Sequence, residues 1–127
     1  MANELILIVE DNEKNRKLAR DVLQFKGYRT IEAETGEDGV KLALEHKPDL
    51  ILMDYQLPGI NGIEAFRRIR GETSTATIPI IAVTASAMPE DARRMMDAGF
   101  DGFQTKPLNV KAFAQAVADV FSAEPPK

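Results

Sequence analysis

Residues 50–53, Leu-Ile-Leu-Met, form an unbroken apolar run that stops at Asp54 and is soon followed by Pro58 and Gly59. The run is too short for a helix and too continuous for a strand wetted on one face. Bounded by turn formers, it reads as a strand buried on both faces. Double burial constrains the whole chain. It implies a parallel sheet, whose strands are joined by crossovers that lay helices across the faces.

The rest of the sequence repeats the theme. Leu5 to Val9 is an apolar run ending in Glu10 and Asp11. Tyr28 to Ala33 reads as a weaker strand. Ile78 to Val83 is a fourth, with Pro79 near its start, where a missing donor does least harm. Phe100 to Gln104 or Thr105 is a short fifth. Helical patterns fill the gaps. Asn12 suits the cap of the first, which carries Leu18, Ala19, Val22, Leu23 and Phe25 and is stopped by Gly27. Gly36 to His46 is the second, ended by Lys47-Pro48-Asp49. Ile63, Phe66 and Ile69 mark a short third. Pro89, Glu90 and Asp91 suit the first turn of a fourth that Gly99 ends. Val110 to Phe121 is an alanine-rich fifth. Strand then helix, five times over, predicts an α/β fold with one parallel sheet and helices on both faces. Residues 1–121 are expected to form one domain. Residues 122–127 are expected to be a short flexible tail, and no stretch reads as an output domain.

Composition narrows the function. The chain has no cysteine and one histidine, His46, which excludes thiol chemistry and disfavours a histidine-based triad or metal site. Sixteen Lys and Arg against 20 Asp and Glu give a net charge of -4, which argues against nucleic-acid binding. No apolar stretch approaches the roughly 20 residues of a membrane span. Met1-Ala2-Asn3-Glu4 lacks the basic region of a secretion signal. A cytoplasmic, soluble protein is the expectation.

In a parallel sheet all strand ends lie along one edge, outside which ligands gather. The first strand brings Glu10 and Asp11 there, the third Asp54, the fourth Thr84 and the fifth Lys106. Three carboxylates brought together repel one another, so a cation is required among them. With oxygen donors only, Mg²⁺ (or Mn²⁺) fits better than zinc or copper. Two charges from such a metal and one from Lys106 offset about three from the carboxylates. Asp54 can then act as a nucleophile towards phosphorus, with the Thr84 hydroxyl donating to a phosphoryl oxygen.

The runs Ile6-Leu7-Ile8-Val9-Glu10-Asp11-Asn12, Leu52-Met53-Asp54-Tyr55-Gln56-Leu57-Pro58-Gly59, Ala82-Val83-Thr84-Ala85 and Thr105-Lys106-Pro107 resemble, in order and spacing, a bacterial response-regulator receiver domain. The wording is most similar to the stand-alone DivK-type regulators. The resemblance implies a flavodoxin-like (CheY-like) doubly wound sheet of five parallel strands, order 2-1-3-4-5, with five helices. It implies that Asp54 takes a phosphoryl group from a phosphohistidine on a sensor histidine kinase or histidine phosphotransfer protein. Asp11, Asp54 and the backbone carbonyl of Gln56 would ligate Mg²⁺ directly, with Glu10 acting largely through water. Lys106 would contact the phosphoryl group, and the Lys106-Pro107 bond would be cis. A switch pairing Thr84 with an aromatic residue, here Phe103, would change binding to a downstream protein target. Phe103 departs from the frequent tyrosine and has no hydroxyl to donate. A monomer is expected, with dimerisation on phosphorylation left open. Gln56 and Ser86, near the acceptor, are candidates for setting the lifetime of the acyl phosphate.

Other readings stand beside these. Asp54, Asn12 and Thr84 suit helix or loop caps, and Lys106-Pro107 suits a simple turn. His46 and the trio Arg67, Arg68 and Arg70 read as solvated. Met88, Met95 and Met96 suit core packing or an adaptable docking surface. Phe25 falls beside the main apolar stripe, as a core residue or a partner contact. A haloacid dehalogenase-type phosphohydrolase also uses Asp after a strand, but wants a second Asp where Gln56 stands. A flavodoxin-like cofactor binder needs a phosphate loop where Glu10-Asp11-Asn12 has the wrong sign. A phosphate-independent binding module is the remaining alternative.

Overall fold

The computed structural model describes residues 4–55, 57, 59–84, 89–105 and 110–122. Strands β1 (Leu5–Val9), β2 (Arg29–Ala33), β3 (Leu50–Asp54), β4 (Ile80–Thr84) and β5 (Gly102–Thr105) alternate with helices α1 (Glu13–Phe25), α2 (Gly36–His46), α3 (Gly62–Arg70), α4 (Pro89–Ala98) and α5 (Val110–Ser122). The sheet is parallel throughout, in the order β2-β1-β3-β4-β5. This is the expected topology. It sets β1 and β3 side by side at the centre.

Strand periodicity divides the core. Leu7, Val9, Ile51, Met53, Ile80 and Ala82 point to one face, where Ala43 of α2 and Ala65, Phe66 and Ile69 of α3 cover them. Ile6, Ile8, Leu50, Leu52, Ile81 and Val83 point to the other, beneath Ala19 and Leu23 of α1 and Phe113 and Val117 of α5. Both faces are apolar because both are covered, which is why β3 shows no polar alternation.

The helix ends use local chemistry. Asn12 caps α1 by accepting from the Asn15 N–H at 3.0 Å, as its position suggested. Thr35 and Asn61 cap α2 and α3 in the same way. Gly27 follows α1 with φ 94, a left-handed conformation that glycine adopts without strain. Lys47 closes α2 in the left-handed region with φ 47, just before Pro48.

Two strands start two residues later than the sequence reading, for one reason. β4 begins at Ile80 rather than Ile78, and β5 at Gly102 rather than Phe100. Pro79 has no N–H to offer a neighbour. The Asp101 carboxylate instead accepts from the Ile80 N–H at 2.7 Å and from Arg70 Nη2 at 2.9 Å. Arg70 also donates to the Ile78 carbonyl and lies over the Phe66 ring, which stacks on Phe100. Arg70 is therefore a structural tie between α3 and the two strand starts, whereas Arg67 and Arg68 are exposed as expected. Asp101→Ala leaves the Ile80 N–H without this partner. The expected cost is about 1–3 kcal/mol, read from urea denaturation, with the greater share from the lost acceptor rather than the half-exposed ion pair.

Candidate functional site

The C-terminal ends of β1 and β3 build an acidic cluster. The register Val9↔Met53 carries the two strands forward together, so Glu10 and Asp54 arrive side by side. Glu10, Asp11 and Asp54 each bring a carboxylate oxygen within 4.8 Å of the others. Glu10 is 5% and Asp54 2% exposed, while Asp11 is open to solvent. The cluster thus has a buried floor and one accessible ligand. Oxygen-only donors at this spacing suit a hard divalent cation.

The backbone around the cluster is fixed from several sides. The Glu10 N–H donates to the Ala33 carbonyl at 3.0 Å, extending the ladder to β2. The Glu10 carboxylate accepts from the Asn12 N–H at 3.1 Å. Arg16 donates through Nη1 to the Glu10 carbonyl at 3.0 Å and through Nε to Glu32 at 3.1 Å. Arg20 also bonds Glu32, and that hydrogen bond holds the Arg20 guanidinium pKa above its ordinary value.

On the other side of Asp54, the Tyr55 N–H donates to the Val83 carbonyl at 2.8 Å, and the Gly62 N–H to the Tyr55 carbonyl at 3.0 Å. The Glu37 carboxylate, at the start of α2, accepts from the Ile60 N–H at 3.3 Å and so steadies the loop after β3. α3 starts hard against the strand end. A Cβ on Gly62 would stand 2.5 Å from the Asp54 carbonyl oxygen and 2.9 Å from the Tyr55 Cα. Both neighbours are backbone, so neither can swing away.

Thr84 is the last residue of β4 and is fully buried. Asp54 is paired with Val83, which puts Thr84 one residue further along the neighbouring strand. Ala82 lies opposite Phe103 and Thr84 opposite Thr105, so Thr84 and Phe103 share a face of the sheet. Phe103 is half-buried against the core on that face. The structure thus brings together Glu10, Asp11 and Asp54, with Thr84 on the next strand. Gln56, Ser86, Met88, Lys106 and Pro107 lie outside the described residues, as does the tail from 123.

Elsewhere, Phe25 is 87% exposed at the end of α1, so it belongs to the surface and not the core. His46 is exposed at the end of α2, as expected, and Met96 is half-exposed on α4. Arg16, Glu32 and Glu37 escaped the sequence reading. Arg16 carried a usable signal, because helical side chains lean towards the N-terminus and so towards Glu10. Glu32 and Glu37 act across elements and gave none.

A parallel 2-1-3-4-5 sheet with carboxylates gathered where β1 and β3 end describes a class of phosphoacceptor domain. Residues 6–118 match the family model for the response regulator receiver domain, and the chain belongs to that family. The polar-differentiation response regulator DivK of Brucella anthropi is 43% identical over 112 residues, spanning 88% of this chain and 91% of DivK. The receiver domain of the sensor histidine kinase PA1611 from Pseudomonas aeruginosa PAO1 superposes with a TM-score of 0.86 at 32% identity, covering 96% of this chain and 99% of that one. Its crystal structure has a magnesium ion coordinated in the active site cleft. The chemotaxis response regulator CheY4 of Vibrio cholerae shares the fold, with a TM-score of 0.88 at 24% identity over 93% of this chain and 98% of that one. Family membership places the receiver reading above the phosphohydrolase and flavin-binder alternatives. Among the described residues, no helix is long and apolar enough to cross a membrane.

Gly62→Ala is expected to displace the end of β3 and cost about 1–3 kcal/mol, because the added methyl meets backbone rather than a movable side chain. Thermal melting checks the cost. An unchanged melting temperature would show that the start of α3 does not press on β3.

Proposed function

We propose that Asp54 is the phosphoacceptor of this receiver and that its phosphorylation switches which protein the chain binds. The observation that carries the proposal is the meeting of Glu10, Asp11 and Asp54 within 4.8 Å at one sheet edge. In the reaction, an Asp54 carboxylate oxygen forms a bond to phosphorus. The bond from phosphorus to a donor histidine nitrogen breaks, and that imidazole nitrogen takes up a proton from solvent. The product is an aspartyl phosphate, with Asp acting as a covalent nucleophile.

The residues present fit a divalent cation. Asp11 and Asp54 would hold Mg²⁺ directly, joined by the Gln56 carbonyl, with Glu10 contributing through water. When bound, the metal supplies positive charge that offsets the carboxylates and the incoming phosphoryl oxygens. The chain's own residues do the rest. Burial of Asp54 fixes the nucleophile, Lys106 meets the phosphoryl group, and the Thr84 hydroxyl donates to one of its oxygens. Drawing Thr84 towards the phosphoryl group would change the space on the face of the sheet where Phe103 also lies. That gives a two-state element biased by new contacts. With phenylalanine at 103 the switch works by ring packing alone.

The phosphodonor is a histidine kinase or a histidine phosphotransfer protein, and the target is a downstream protein in the cytoplasm. The exposed Phe25 on α1 supports a docking role for that helix.

Intact mass spectrometry after incubation with acetyl phosphate tests the proposal. One phosphoryl adduct is expected in wild type with Mg²⁺, and none with chelator or in Asp54→Asn. A metal-independent adduct, or one retained in Asp54→Asn, contradicts it. Thr84→Ala and Lys106→Ala are expected to accept the phosphoryl group yet lose the coupled change. Coupling of this kind is typically about 5- to 150-fold in partner affinity. The direct readout is the NMR signal of the Phe103 ring, which should move on phosphorylation of wild type and stay put in both variants.

A further inference from the structure

The acidic cluster is held by a cation that does not enter it. Arg16 stands in the second turn of α1, and its guanidinium reaches back along the helix to the carbonyl of Glu10 at 3.0 Å. Its Nε is anchored by the Glu32 carboxylate on β2 at 3.1 Å, with both side chains mostly buried. That carbonyl belongs to the peptide between Glu10 and Asp11. The residues that follow are tied back as well: the Asn12 N–H meets the Glu10 carboxylate at 3.1 Å, and the Arg16 N–H closes the first helical bond to the Asn12 carbonyl at 2.9 Å.

We infer that Arg16, clamped by Glu32, is a positioning residue that sets the peptide plane between Glu10 and Asp11 and thereby the cation affinity of the acidic cluster. The inference rests on the cation site proposed above and names a residue outside it. Two physical effects act in the same direction. The guanidinium fork holds one carbonyl and one carboxylate at once in a fixed planar geometry, which a flexible lysine stem and its ammonium do not impose. Glu32, which it shares with Arg20, offsets part of the Arg16 charge, so the guanidinium steadies the loop with less repulsion of a divalent cation a few residues away. Arg20 provides an internal control. It also bonds Glu32, at 3.2 Å, but makes no contact with Glu10 among the hydrogen bonds of the described residues.

The test is Mg²⁺ binding to the unphosphorylated protein by isothermal titration calorimetry, alongside thermal melting. Arg16→Met is expected to weaken Mg²⁺ binding on the order of tenfold, the range found when supporting partners of metal ligands are removed. Arg16→Lys should recover only part of that loss. Arg20→Met should lower the melting temperature comparably, through the lost ion pairs with Glu32 and Asp21, and leave Mg²⁺ affinity at the wild-type value. If Arg16→Met fails to fold, Glu32→Gln carries the test. It keeps the shape, frees the Arg16 charge, and should also weaken Mg²⁺ binding. Wild-type affinity in Arg16→Met or Glu32→Gln overturns the inference alone, as does an equal loss in Arg20→Met. A wild-type protein that takes up no Mg²⁺ overturns the cation site together with the inference, so the two failures are distinguishable.

Discussion

The molecule depends on the parallel pairing of β1 with β3. These two central strands are apolar on both faces, and burying them between α1 and α5 on one side and α2 and α3 on the other supplies most of the core. The same pairing fixes the chemistry. A one-residue slip would exchange the two faces and force every side chain on both to repack. With Val9 opposite Met53, the next residues in line are Glu10 and Asp54. Packing decides that two carboxylates meet at the sheet edge.

Such a meeting is unfavourable unless something holds it. Part of the holding is backbone geometry: the ladder bond to Ala33, the bond from Tyr55 to Val83, and the close start of α3 at Gly62. Another part is polar and lies further out, in Arg16 with Glu32 and in Glu37 with the loop after β3. The remainder is left to a cation and to the phosphoryl group, whose arrival changes the charge of the site. A site built this way is stiff in its floor and open at Asp11, which suits a reaction that depends on positioning more than on acid–base chemistry.

Much of this was legible in the sequence. The five strands and the convergence of Glu10, Asp11 and Asp54 follow from short apolar runs that end in polar residues, the helices from caps and periodic apolar positions, and the strand order from the family resemblance. Such runs announce themselves because doubly buried strands cannot carry polar residues. Less legible was anything that depends on one element reaching another. The start of β4 moved two residues because Asp101 takes the Ile80 N–H, and Arg70 left the solvated trio to serve the same tie. Phe25 lay at the border of the apolar stripe, where a helix's rotation decides between core and surface, and it fell outside. Arg16 resembled any charged helix residue until Glu10 and Glu32 were placed beside it.

The central claim is that Asp54 itself carries the phosphoryl group, and the most direct measurement is chemical trapping. Borohydride reduces an aspartyl phosphate to homoserine, so peptide sequencing of the phosphorylated, reduced protein marks the acceptor. Homoserine is expected at position 54 and at no other aspartate. Homoserine at 11, 2-amino-5-hydroxypentanoic acid at 10, or a borohydride-resistant phosphoryl group on His46 or a hydroxyl, would contradict the claim.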